Sequence, residues 1–230
     1  MLNAILLGAA AQSALVISGL LVYRFKFSDR FIGLLAGFGV GALIEAVAFD
    51  LIAETKDLST FEFALWMLLG AAVLLIGDRL IDRRFGSEGG GQAMGIVVGS
   101  IVDGVPESAI FGIQVATHFP ISIGFLMAVF VSNFPQALAP SADLAKGGWK
   151  MGRLVGMWAM VLVACGVASG LGYALANAFS GVNGDRMAAL AAGGLLSMIA
   201  DSMMPFAYDR GGELTGVAVV IGFCLPLMFG

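Results

Sequence analysis

Eight apolar runs alternate with short polar connections along the chain, at about 3–23, 31–54, 61–81, 92–116, 120–143, 152–179, 187–208 and 212–229. A helix needs roughly 20 apolar residues to cross hydrocarbon, so the pattern predicts eight transmembrane helices joined by tight loops. Polar caps mark some of the starts: Ser59-Thr60 precede the third run and Asn183-Gly184-Asp185 the seventh. Glycines recur inside the runs, such as Gly33, Gly37, Gly39 and Gly41 in the second and Gly166, Gly170 and Gly172 in the sixth. Small residues at such spacing let helix backbones approach closely in lipid.

Composition agrees with the pattern. The 230 residues are 59% hydrophobic and 12% charged, with a mean hydropathy of +0.96. Soluble domains carry about a quarter charged residues, so the chain reads as an all-α polytopic membrane protein, one transmembrane domain over residues 1–230. The net charge of -4 carries no message about nucleic acid, which is not an expected partner. The start, Met1-Leu-Asn-Ala, lacks a positive region, so the first run reads as a retained helix. Cys165 and Cys224 sit in apolar runs and read as packing residues.

Lys and Arg set the orientation. Connections 1–2, 3–4 and 5–6 hold nine of them: Arg24, Lys26, Arg30, Arg79, Arg83, Arg84, Lys146, Lys150 and Arg153. Lys56, Arg186 and Arg210 are assigned to the other side, which puts both termini outside the cytoplasm. The expected location is a bacterial inner (plasma) membrane. Residues 83–92 read as a flexible cytoplasmic linker; no Gly-Lys-Ser/Thr follows its glycines, which argues against a phosphate loop. His118, before Pro120, reads as an ordinary loop residue, with a cation-gathering role at an entrance as the alternative.

The chemistry concentrates in runs four and five. Asp103-Gly-Val-Pro-Glu107-Ser108 is echoed by Ser132-Asn-Phe-Pro-Gln136-Ala137. A helix-interior proline lacks an N–H and pushes away the carbonyl four residues earlier, here Val102 and Val131. In hydrocarbon such a carbonyl needs a partner: water, a neighbouring helix or an ion. Asp103 and Glu107 share a helix face, as do Ser132 and Gln136. Two broken helices with facing oxygen ligands suit a transport site near the bilayer midplane.

Charged groups deep in a bilayer cost a few kcal/mol on insertion scales. Glu45, Asp50, Asp103, Glu107 and Asp201 lie in runs with no central Lys or Arg to pair them, while Glu54 is close enough to a helix end to be hydrated. Cation binding or protonation is left. The bland alternative for Asp103 and Glu107 is a water-bonded pair that glues helices. Asp50 and Asp201 each fall late in their run, after glycines and alanines, which suggests an inverted repeat of runs 1–3 and 6–8 around broken helices 4 and 5.

With these residues in view, the chain resembles the ZIP (Zrt/Irt-like protein) family of divalent metal transporters over nearly its whole length. Asp103 to Ser108 match that family's fourth-span His-Asn-x-Pro-Glu-Gly, and Ser132 to Ala137 match its fifth-span motif. The resemblance implies eight spans, outer termini and a metal site between helices 4 and 5. Several positions depart: Asp103 stands for the histidine, Gly104 for the asparagine and Gln136 for a glutamate, and Val163 to Ser169 of run six hold no carboxylate. The donors carried over are Asp103, Glu107, Asn133, Gln136 and Ser132, with Asp50, Asp201 and Glu45 on the pathway. Zinc favours nitrogen and sulfur ligands, whereas an all-oxygen set suits manganese or magnesium.

The expected function is transport of a divalent cation (zinc, manganese, iron or magnesium) toward the cytoplasm, with no resident cofactor. The bilayer is the other partner, and a homodimer is left open. Two rivals share the scaffold: a proton- or sodium-coupled carrier of a small solute, and a non-transporting membrane scaffold or metal sensor. No enzyme is expected, because a Ser-His pair and a His-Glu-x-x-His helix are both absent.

Overall fold

The computed structural model describes residues 1–85, 91–117, 123–178 and 184–228. The linker residues 86–90 and His118 lie outside them. The described residues form an all-helical bundle: α1 (Leu2–Leu21), α2 (Asp29–Glu45), α3 (Thr60–Phe85), α4 (Gly91–Ala116), α5 (Ile123–Lys146), α6 (Met151–Ala178), α7 (Gly184–Met198), α8 (Met204–Gly211) and α9 (Thr215–Leu227). Among them, seven helical stretches are long and apolar enough to cross a membrane, the last running from Gly184 to Leu227.

That last stretch is not straight. Gly212 has φ 67°, a left-handed conformation that favours glycine, and the chain reverses there. Before the turn, α8 packs on α2, and the Arg210 guanidinium meets Asp29 at 3.2 Å. After it, α9 runs alongside α2 in the same direction: Gly37 faces Thr215, and Gly41 faces Val219 and Phe223. Arg210 therefore lies at the end of the bundle that holds the start of α2, not with Lys56 and Arg186. This corrects the sequence assignment: Arg210 lies between the seventh and eighth runs, and that connection falls on the same side as connections 1–2, 3–4 and 5–6. At the same end, Tyr23 donates to the Trp149 carbonyl between α5 and α6. Arg186 lies at the opposite end and bonds Glu62 at 3.3 Å. Glu62 and Ser59 also close a reciprocal cap on α3, with Glu62 N to Ser59 Oγ at 3.3 Å and Ser59 N to Glu62 Oε2 at 3.4 Å.

The interruptions fall elsewhere than the prolines suggest. α4 continues through Pro106 and α5 through Pro135 and Pro140. One missing hydrogen bond does not end a helix that has several apolar turns on either side and packed neighbours. Instead, α2 passes into a π turn at Ala46–Leu51 and α7 into another at Ile199–Met203. Asp50 and Asp201 lie in these two turns. Pro205 sits in the first turn of α8, where its missing N–H costs nothing.

Glycines set the helix pairings. α4 and α6 run in parallel, with Gly104 against Cys165 and Gly112 against Ser169; α1 runs antiparallel to α6, with Gly8 against Ser169 and Gly19 against Leu154 and Trp158. Ser169 donates to the Ala4 carbonyl at 2.7 Å, and Trp158 Nε1 donates to Ser141 Oγ at 2.8 Å. The largest apolar core joins Leu43, Val47 and Leu51 to Phe111, Phe125, Leu195 and Met198. Cys165 is buried and Cys224 exposed, and both thiols are free.

Candidate functional site: a cavity between α4 and α5

A cavity of about 230 Å³ lies between the two proline-bearing helices. Ile96, Gly99, Ser100 and Asp103 line it from α4, and Pro135, Gln136 and Pro140 from α5. Ala36 of α2, Ser202 and Met203 of the second π turn and Phe206 of α8 close the other wall. These are the early turns of α4 and the late turns of α5, so the cavity occupies the half of the bundle nearest Asp29 and Arg210. Beyond it, toward Arg186, the buried rings of Phe111 and Phe125 pack with centroids 4.9 Å apart inside the apolar core.

Asp103 and Gln136 face this same space from different helices, as their motifs suggest. Gln136 has a second feature: Pro140 removes the N–H that would have paired with its carbonyl, so residue 136 offers two oxygens.

The other predicted donors stand differently. Glu107 is 1% exposed, one turn beyond Asp103 on the same helix. Its Oε2 accepts a hydrogen bond from Gln12 Nε2 of α1 at 3.1 Å. Ser132 Oγ and Asn133 Nδ2 both donate to the Val129 carbonyl, each at 2.9 Å. Both side chains thus bond back to their own helix, and neither lines the cavity. Among the described residues, no three of His, Cys, Asp and Glu come together. The polar residues lining the cavity are Asp103, Gln136, Ser100 and Ser202.

No protein-family model matches the chain, and no curated protein matches it in sequence.

Of the pathway acids, Glu45 is buried at the end of α2, and its Oε2 has no partner among the described residues. Asp50 is half-buried in the first π turn. Asp201 is exposed in the second and accepts from Ser197 Oγ at 3.1 Å. π turns are often found at functional sites.

Sequence reasoning passed over Gln12, Pro140 and Ser202. Gln12 carried a signal: it is a carboxamide in the middle of an otherwise apolar run. Ser202 carried little, since a serine beside Asp201 reads as part of a polar helix face.

Proposed function

We propose that the chain is an eight-span transporter of the ZIP type that passes a divalent cation toward the cytoplasm through the cavity between α4 and α5. The observation that carries this reading is the cavity itself, with the Asp103 carboxylate and the Gln136 carboxamide converging from two proline-bearing helices. Carboxylates are rare inside membrane bundles and mark ion pathways where they face a cavity. An oxygen-only set favours a hard ion, manganese or magnesium, over zinc.

Two features support eight crossings. The reversal at Gly212 sends α9 back along α2, and α9 alone, at 13 residues, is about 20 Å long. That is short for a hydrocarbon core of about 30 Å, so α9 crosses with the help of its flanking turns. The packing also supports an inverted repeat: α3 on α7 corresponds to α9 on α2, α4 on α6 to α5 on α1, and both π turns carry an aspartate. With Lys and Arg marking the cytoplasmic side, the cavity belongs to an inward-facing state, sealed outward by Phe111 and Phe125.

Uptake of Mn²⁺, Mg²⁺, Fe²⁺ and Zn²⁺ into proteoliposomes tests the reading, with wild type beside Asp103→Ala and Gln136→Ala. Wild-type uptake that both variants reduce at least tenfold supports it. Equal uptake by all three proteins would sink the site, and binding without flux would favour the sensor.

A further inference from the structure

The Gln12–Glu107 pair has two buried oxygens with nothing to bond. Gln12 is fully buried and Glu107 is 1% exposed. Gln12 Nε2 donates to Glu107 Oε2 at 3.1 Å, which leaves Gln12 Oε1 and Glu107 Oε1 without a partner among the described residues. With Glu107 ionised, as a bound cation requires, turning the amide over would set the Gln12 oxygen against a carboxylate oxygen. Both orphans are acceptors, so a second acceptor cannot satisfy them. Buried polar atoms are almost always paired, and an exception asks for a missing ion or water.

The surroundings are built for this approach. A Cβ on residue 104 would lie 2.7 Å from Cys165 Sγ and 3.2 Å from Gln12 Nε2, so glycine at this position gives α1 the room to bring its amide to Glu107. Glu107 lies one helical turn beyond the cavity-lining Asp103 and is itself buried behind the cavity wall.

We propose that Gln12 is a cation ligand: with Glu107 it forms a second, deeper binding position for a hard divalent ion, held by Gln12 Oε1 and Glu107 Oε1. The proposal rests on the cation-transport reading and adds a ligand from α1. Carboxylate and amide oxygens are the donors that Mn²⁺ and Mg²⁺ accept. The ion would reach this position from Asp103, shedding water as it goes deeper.

The test is Mn²⁺ titration of the purified full chain in nanodiscs, followed by calorimetry and by the Mn²⁺ paramagnetic signal. Gln12→Leu is expected to weaken binding about tenfold or more, the scale set by losing even an outer partner of a metal site. Gln12→Glu, which keeps a polar group against Glu107, is expected to tighten it several-fold, since affinity rises with ligand charge. Mn²⁺ affinity unchanged in both variants would overturn the proposal, as would Zn²⁺ selected over Mn²⁺ through Cys165, shown by loss in Cys165→Ser. Wild-type binding that responds to Asp103→Asn but not to either Gln12 variant defeats the Gln12 position alone. A wild type that binds none of the four ions defeats both.

Discussion

Substituting Gly41 by alanine measures how tightly α9 is held against α2. A methyl group at residue 41 would overlap the Val219 carbonyl oxygen and lie 2.7 Å from the Phe223 amide nitrogen. Both obstacles are backbone, so no side chain can swing away and α9 must retreat as a unit. Restoring an ordinary contact of 3.4 Å at Phe223 alone takes about 0.7 Å, the difference from 2.7 Å, and Val219 demands more. A gap of 0.5–1 Å forfeits roughly a quarter to a half of the dispersion well along the interface. Overpacking typically costs about 1–3 kcal/mol, and rigid neighbours put this site at the upper end, about 3. Replacing glycine in a helix returns about 1 kcal/mol, so the net loss is about 2 kcal/mol. For a chain of this length that lowers Tm by about 4–8 °C. Gly216→Ala is the control in the facing helix: nothing lies within 4 Å of its added methyl, so the helix gain stands and Tm rises by a few degrees. Thermal unfolding of the purified protein in one detergent compares the two. A shift of the same sign in both variants, or Gly41→Ala melting with wild type, would refute the packing of α9 on α2.

Other outcomes follow from the same geometry. Ser132→Ala should leave Mn²⁺ uptake within about twofold of wild type while Gln136→Ala lowers it at least tenfold, because Gln136 lines the cavity and the Ser132 hydroxyl bonds Val129. In a Cys165→Ala/Cys224→Ala background, Ser100→Cys should react with a polar thiol reagent from the cytoplasmic side, and Gln114→Cys should stay unlabelled; the reverse would contradict an inward-facing state. Ser141→Ala leaves the buried Trp158 N–H without its acceptor, which should cost about 1–3 kcal/mol in thermal unfolding.

The sequence revealed the parts of this protein that depend on local pattern. Hydropathy placed the helices within a few residues, because each must match the bilayer. The Asp103 and Gln136 motifs were legible because a proline beside a polar side chain is conspicuous in an apolar run. Contacts between distant segments were not legible. Nothing near Gln12 announces that α1 brings it to Glu107, which lies 95 residues away. The prolines also misled. They mark missing N–H groups, yet the departures from α-helix occur at Asp50 and Asp201, where the adjustment depends on neighbouring helices. Arg210 was misplaced by counting alone: an eight-run pattern already puts connection 7–8 on the side of connections 1–2, 3–4 and 5–6, and the Arg210–Asp29 pair agrees.

The packing bears on how such a site could move. α1, α4 and α6 hold tightly to one another, and α5 joins them through α1 while also packing on α2, where Gly39 meets Ser132. α2, α8 and α9 form a second set, with α3 against α7 beside it. The cavity runs along the seam, with Asp103 and Gln136 on the first set and Ala36, Ser202 and Phe206 on the second. On the proposed reading, every ligand, including Gln12 and Glu107, belongs to the first set. Both π turns belong to the second. Moving the sets against each other would then carry the ligand shell intact, and the bound ion would see one coordination throughout. The changing surface would be the seam at Ala36, Ser202 and Phe206, close to the turn that holds Asp201. A π turn can shift its hydrogen-bond register without breaking the helix, so the compliant turn on the cavity wall, Ile199–Met203, faces the ion and does not hold it. A bifunctional thiol reagent that bridges Ser100→Cys and Ser202→Cys across the cavity should therefore abolish uptake while leaving Mn²⁺ binding in place. Uptake that persists through the crosslink would show that the two sets need not separate.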